Sequence, residues 1–153
     1  MKLAEALAER KAAQSKMGEI NERLQRVIIV PQGEQPAEEP TALLAELVTV
    51  AERLEWLILA INRTNIAATI ASGESLTAAI ARRDVLKMRM NVIDTTLRSA
   101  GNQYQRTRAS EIKFVASVDV AEIQRQRDQL AKQYRELDTA IQAANWAVEL
   151  DEG

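Results

Sequence analysis

The sequence predicts an all-α fold: four long helices in an antiparallel bundle or in coiled-coil-like hairpins, with a short β-hairpin or strand pair in the connections. Three observations predict it. In four separate segments the apolar residues recur at alternating spacings of three and four, the 3.5-residue period of a helix that keeps one face against a partner. Only five glycines and three prolines occur in 153 residues, and the prolines fall in one stretch. The apolar set is mainly Ala, Leu, Ile and Val, with aromatics at 3%. Small and branched aliphatics suit close helix–helix contact better than a sheet sandwich.

The first helix is expected over about residues 2–29, with the seam Leu3, Ala6, Arg10, Ala13, Met17, Ile20, Leu24 and Val27. Gly18 lies inside it and costs about 1 kcal/mol relative to Ala, tolerable in a long helix. Residues 30–40 hold Pro31, Pro36, Pro40, Gly33, Glu34, Glu38 and Glu39, an acidic, mobile, Pro-rich loop that breaks the helix. Pro40 suits the first turn of the second helix, expected to about residue 65. Its seam is Leu44, Leu47, Ala51, Leu54, Ile58 and Ile61. Leu43, Val50 and Leu57 widen that stripe, so this helix is expected to touch more than one neighbour.

Between residues 67 and 76, Ser72-Gly73 separates Thr69-Ile70 from Ser75-Leu76, which reads as a short hairpin or tight turn. Ser75 or Thr77 can cap a third helix running to about residue 100. Its seam is Leu76, Ala79, Arg83, Leu86, Met90, Ile93, Leu97 and Ala100, and Gly101-Asn102 stops it. The second connection, residues 101–118, contains a string from Glu111 to Val118 that alternates like a strand and could pair with residues 69–76. Asp119 and Glu122 form an Asp-x-x-Glu capping box. The last helix then runs to about residue 150 through Val120, Ile123, Arg127, Leu130, Tyr134, Leu137, Ile141, Ala144 and Val148. Helices of about 24–30 residues are about 35–45 Å long at 1.5 Å rise per residue. Residues 1–153 fit one domain, which buries about two-thirds of its unfolded surface.

Composition excludes several function classes. The chain carries 20 basic and 22 acidic residues, whereas duplex binding normally needs a basic excess for its phosphate contacts. Nucleic acid is therefore not an expected partner of the whole chain. With no His and no Cys, disulfides, thiolate nucleophiles, the common zinc sites and His-based acid–base catalysis are excluded. The ferritin-type di-iron motif fails for the same reason, since it needs Glu-x-x-His. No phosphate-binding glycine loop and no nucleophile–base spacing is present. No catalytic residue, cofactor or metal is expected. The start, Met1-Lys2-Leu3-Ala4-Glu5, leads into a charged amphipathic pattern without an apolar h-region. The most apolar run, residues 54–61, includes Glu55 and is too short to span a bilayer. The expected location is cytoplasmic, with no membrane partner.

Three polar features carry alternative readings. The string Asn62-Arg63-Thr64-Asn65 reads as a helix cap with Asn65 left-handed and Arg63 near the negative end, or as part of a polar pocket with Arg82, Arg83 and Asp84. Arg10, Arg83 and Arg127 occupy seam positions. They can fix register by pairing with carboxylates such as Asp84, Asp128 or Asp138, or can hold an anion through the guanidinium fork. Arg98, Arg106, Arg108 and Lys113, with Tyr104 interleaved, read as a solvated surface, a counterpart to the acidic loop or to Glu149, Asp151 and Glu152, or a single-strand contact. Trp146, beside Asn145, is expected to cap the core with its apolar bulk.

Several strings taken together resemble a small bacterial family labelled septicolysin-like: Asn62-Arg63-Thr64-Asn65, Leu76-Thr77 with Arg82-Arg83-Asp84, Ser110 through Val115, Val118-Asp119-Val120, and Arg135-Glu136-Leu137-Asp138 through Asn145-Trp146. The resemblance covers nearly the whole chain and implies an all-helical protein without an established activity. Ser72-Gly73-Glu74-Ser75 stands where that family is associated with Asp-Gly, a departure confined to the turn. Cytolytic action is not carried over, because no secretion signal and no long apolar hairpin is present.

The sequence thus supports a structural or interaction protein that forms homo-oligomers or docks a protein partner through heptad faces. The alternative is an anion- or nucleic-acid-binding module at an Arg-rich end, using Asn62, Arg63, Asn65, Arg82, Arg83, Asp84, Arg106, Arg108 and Lys113.

Overall fold

The computed structural model describes residues 1–101 and 114–153. Tyr104, Arg106, Arg108 and Lys113, with Glu111 and Ile112 of the alternating string, therefore lie outside the described residues. Among the described residues the fold is all-α: α1 (Leu3–Val27), α2 (Pro40–Ala67), α3 (Leu76–Gly101) and α4 (Val120–Ala147). The chain divides into two compact units, one of Met1–Ala68 with Asn145–Gly153, the other of Thr69–Ala144.

In the first unit α1 and α2 form an antiparallel hairpin. Its tip packs Ile20 and Val27 with Leu43, flanked by Leu24, Leu47 and Val50. Further along, Lys16 reaches Glu46 at 3.0 Å and Arg53 reaches Glu9 at 2.8 Å. Rising numbers on one helix meet falling numbers on the other, the antiparallel arrangement of two helices joined by the connection of residues 28–39. Leu3, Ala6, Leu57, Ala60 and Ile61 complete the buried apolar face. The acidic loop is tied back, because the Arg23 Nε donates to both Glu38 oxygens at 3.0 and 3.1 Å.

Several helix ends are satisfied locally. The Lys2 N–H donates to the Glu5 carboxylate at 2.7 Å, Pro40 occupies the first turn of α2, and the Ala68 N–H donates to the Thr64 carbonyl at 2.8 Å. The two chain ends clasp each other: the Leu3 N–H donates to the Val148 carbonyl at 3.0 Å, and the Leu150 N–H to the Met1 carbonyl at 2.8 Å. The Lys2 Nζ donates to the Ala147 carbonyl at 3.0 Å, placing a cation on the negative end of α4.

In the second unit α3 and α4 also run antiparallel, as the pairs Arg83–Asp138 (3.4 Å) and Arg127–Asp94 (3.0 Å) show. Leu76, Ala79 and Leu86 are buried on α3, and Leu130, Ala131, Leu137 and Ile141 on α4. Ser75 is the cap of α3, its Oγ accepting the Ala78 N–H at 3.2 Å. Asp119 caps α4 by accepting the Glu122 N–H at 3.1 Å. The Glu122 carboxylate turns instead to Arg125, which holds it below the usual carboxylate range, with Gln126 adding a second hydrogen bond.

Four expectations need correction. The β-hairpin is a tight turn: no strand occurs among the described residues, and Thr69 meets Ser75 in one isolated antiparallel bridge. Ile70 bonds Glu74 and Gly73 bonds Ile70 at 2.9 Å, with Gly73 at φ 84°. The caps at Ala68 and Ser75 consume the residues a ladder would need. Asn65 is helical, not left-handed. The helix continues to Ala67 and ends on extended Ala68 (φ −81°, ψ 153°), and no non-glycine residue has positive φ among the described residues.

Trp146 does not cap the core: it is 64% exposed, while its neighbour Asn145 is buried. One residue is about 100° of helical rotation, so Ile141, Ala144 and Asn145 turn inward and the indole turns out. On α2 the expected seam holds at Leu47 and Ile61 but not at its first member. Leu43 and Leu57, expected as surplus, are buried in the hairpin, while the seam candidate Leu44 faces out. No described helix is long and apolar enough to cross a membrane.

Candidate functional site

The inward face of α2 uses Leu43, Leu47, Val50, Leu54, Leu57 and Ile61, so the residues next in phase form a second face. Leu44 (47% exposed), Val48 (56%), Leu59 (53%) and Ile66 (71%) follow one another along it, at steps of four, eleven and seven that keep one side of a helix. Beside this line, Met17 on α1 with Ala51, Leu54, Glu55, Ile58 and Leu59 lines a shallow, open hollow of about 260 Å³. It is apolar except for Glu55 at its rim. The side chains of Glu52 and Glu55 form no ion pair among the described residues.

On α3 a second outward line consists of Val85, Met88 and Val92, all more than half exposed. Three- and four-residue steps place Arg82 and Arg89 along one edge of it. Arg82 donates to Glu74 at 2.7 Å, whereas Arg89 makes no ion pair among the described residues. The same two arginines line a groove of about 540 Å³ within the second unit, with Ser72, Leu86, Gln133 and Glu136.

The residues of the expected polar pocket do not gather within one unit. Asn62, Arg63 and Asn65 belong to α2 in the first unit, whereas Arg82, Arg83 and Asp84 belong to α3 in the second. Arg106, Arg108 and Lys113 lie outside the described residues. Within the Asn62–Asn65 string the buried member is Thr64. Its hydroxyl donates to the Ala60 carbonyl at 2.8 Å and accepts the Asp151 N–H at 2.9 Å, a structural tie. Sequence reasoning passed over it because Thr64 lacks charge, although its four-residue step from Ala60 marked a back-bonding hydroxyl.

The seam arginines Arg83 and Arg127 are paired. Arg83 donates to Asp84 from Nε and Nη2 at 3.0 and 2.8 Å and to Asp138 at 3.4 Å. Burial works against its charge, but the Asp84 hydrogen bond and both carboxylates outweigh burial and raise its pKa. Arg127 donates to Asp94 at 3.0 Å, which raises its pKa as well. Asp128, offered by the sequence as a partner, instead accepts from Gln124 at 3.0 Å. Arg10 is half-buried and makes no ion pair among the described residues. At the edge of the first hairpin, Arg53 draws the Glu9 carboxyl below its usual range and stacks over the Trp56 ring at 4.3 Å. Among the described residues no group of acidic side chains is arranged to hold a metal ion.

This arrangement offers aliphatic surface with charges along its edges. Residues 10–150 match a family model described as "Family of unknown function (DUF6847)". The chain is 40% identical to a protein whose crystal structure is titled that of a functionally unknown conserved protein from Corynebacterium diphtheriae. The match spans 99% of each chain with a TM-score of 0.94. No curated protein matches the sequence.

Proposed function

We propose, from the premise that this chain belongs to the DUF6847 family of unknown function, that it is a non-enzymatic helical interaction protein whose binding face is the outward side of α2. The observation that carries this reading is the line Leu44, Val48, Leu59 and Ile66, each about half exposed or more. Scattered exposed aliphatics are ordinary on a protein surface. Four of them share one side of the helix, with Glu52 and Glu55 between Val48 and Leu59, and fully covering an exposed Leu, Val or Ile side chain contributes up to about 1.5–3 kcal/mol. The missing His and Cys support the non-enzymatic part. A cytoplasmic location belongs to the same reading, as does the septicolysin-like likeness, without cytolytic action.

The test is light scattering after size exclusion at several protein concentrations. The expected result is an oligomer that falls to monomer mass in the Val48→Glu, Leu59→Glu variant with helical content unchanged. A strictly monomeric wild-type particle at micromolar concentration counts against self-association and leaves the stripe without this role.

The groove carrying Arg82 and Arg89 favours a second reading, an anion-binding module. Saturable phosphate binding, lost in Arg89→Ala, supports it. Phosphate binding that this variant leaves unchanged rules it out.

A further inference from the structure

We infer that the occupant of the α2 face is the α3 line of a second copy of this chain, a statement that rests on the interaction reading above and names its partner. The two faces match in kind, a shallow apolar recess and protruding aliphatic side chains. The α2 side offers an apolar hollow of about 260 Å³ between Met17, Ala51, Leu54, Ile58 and Leu59. The α3 side offers protruding aliphatic side chains, with Met88 at 65% and Val92 at 67% exposure. An unbranched, polarizable methionine is the side chain that best fills an irregular apolar recess.

Their charges are complementary too. Glu55 stands at the rim of the hollow and Glu52 one turn before it. Arg82 lies three residues before Val85, and Arg89 four after it, so both guanidinium groups border the line that would enter. Glu52, Glu55 and Arg89 have no ion-pair partner among the described residues, and Arg82 has Glu74 alone. Guanidinium forks match carboxylates geometrically. Pairing two α2 faces with each other would instead bring Glu52 and Glu55 against like charges, which an interface disfavours. Arg63, between Leu59 and Ile66, lies at the far end of the stripe from Leu44, and Glu55 is the charged residue that lines the hollow. Each copy carries both faces.

The experiment uses the full chain and three variants: Glu52→Lys with Glu55→Lys, Arg82→Glu with Arg89→Glu, and Met88→Glu. All five positions are exposed, and circular dichroism checks that each variant keeps its helices. Light scattering and sedimentation are expected to show association weakened by on the order of tenfold or more in each variant alone. An equimolar mixture of the two charge-reversed variants is expected to recover the wild-type mass, because reversed α2 then meets reversed α3. Association lost in the α2 variant but untouched by Met88→Glu and by the Arg82, Arg89 reversal overturns this inference while leaving the α2 face as the interface. A mixture that fails to recover also overturns it. A wild-type chain that never associates removes the interaction reading and this inference together.

Discussion

The hairpin of α1 with α2 and the hairpin of α3 with α4 follow one plan and place their charges differently. In the first, the seam from Leu3 to Val27 meets Leu43, Leu57 and Ile61, its one charged member Arg10 makes no ion pair among the described residues, and the ion pairs stay at its edges, Lys16 with Glu46 and Arg53 with Glu9. In the second, Arg83 and Arg127 interrupt the seam itself, and each reaches across to the facing helix for Asp138 or Asp94. Apolar seam residues stabilise by leaving water and tolerate sliding, because one aliphatic pair resembles another. A charged seam residue contributes less but has one acceptable partner, so it fixes register. The pairs 83–138 and 94–127 do so at two levels of the second hairpin.

The largest expected difference follows from burial. Leu57→Ala removes a side chain with 0% exposure and should cost about 2–5 kcal/mol in urea unfolding, because a cavity replaces packed aliphatics. Met90→Ala, at a half-exposed seam position of α3, should cost clearly less. Equal losses would break the contrast between the two seams.

A smaller effect tests register. Asp138→Ala leaves Arg83 only Asp84 on its own helix and should cost about 1 kcal/mol, allowing for partial solvent screening. Replacing Arg83 and Asp138 together with Leu should recover most of that loss. Pulsed-EPR distances across α3 and α4 would then show a broader register distribution. A distribution as narrow as wild type would show that the charged pair is not needed for alignment.

The smallest effect is acid sensitivity. The Glu38 carboxyl is held below its usual value by Arg23, Glu46 by Lys16, and Glu9 by Arg53. Depressed carboxyl pKa values contribute stability that is present above the unfolded value near 4.5 and lost as pH falls through the folded value. Stability of the wild type should therefore decline more steeply below that pH than in Glu9→Gln with Glu46→Gln. Both partners are partly exposed, so added salt should shrink the difference. An unchanged acid limb would remove the edge pairs from the account.

The charged seam also explains why one part of the candidate site was legible and another was not. A sequence shows that Arg83 and Arg127 fall on the seam, and the expected partner Asp138 is found at Arg83. It does not show that Asp94, rather than neighbouring Asp128, reaches Arg127, since that depends on the stagger of α3 against α4. The polar string Asn62-Arg63-Thr64-Asn65 drew attention by its charge, yet its buried member is Thr64, recognised only once Asp151 arrives from the other end of the chain.

The sequence by itself determined the all-α class, the order of four helices among the described residues, Pro40 in the first turn of α2 and the cap at Asp119, and it narrowed the cap of α3 to Ser75 or Thr77. These depend on periodicity and on hydrogen bonds a few residues apart, which any chain carrying this pattern would form. Tertiary structure decided which phase of α2 turns inward, that Asn145 rather than Trp146 is buried, and that residues 69–75 close a turn instead of a ladder. Each of these depends on a neighbour distant in sequence. A rotation of one residue, about 100°, moves an aliphatic from core to surface, and local pattern alone fixes no such angle in a helix apolar on more than one side.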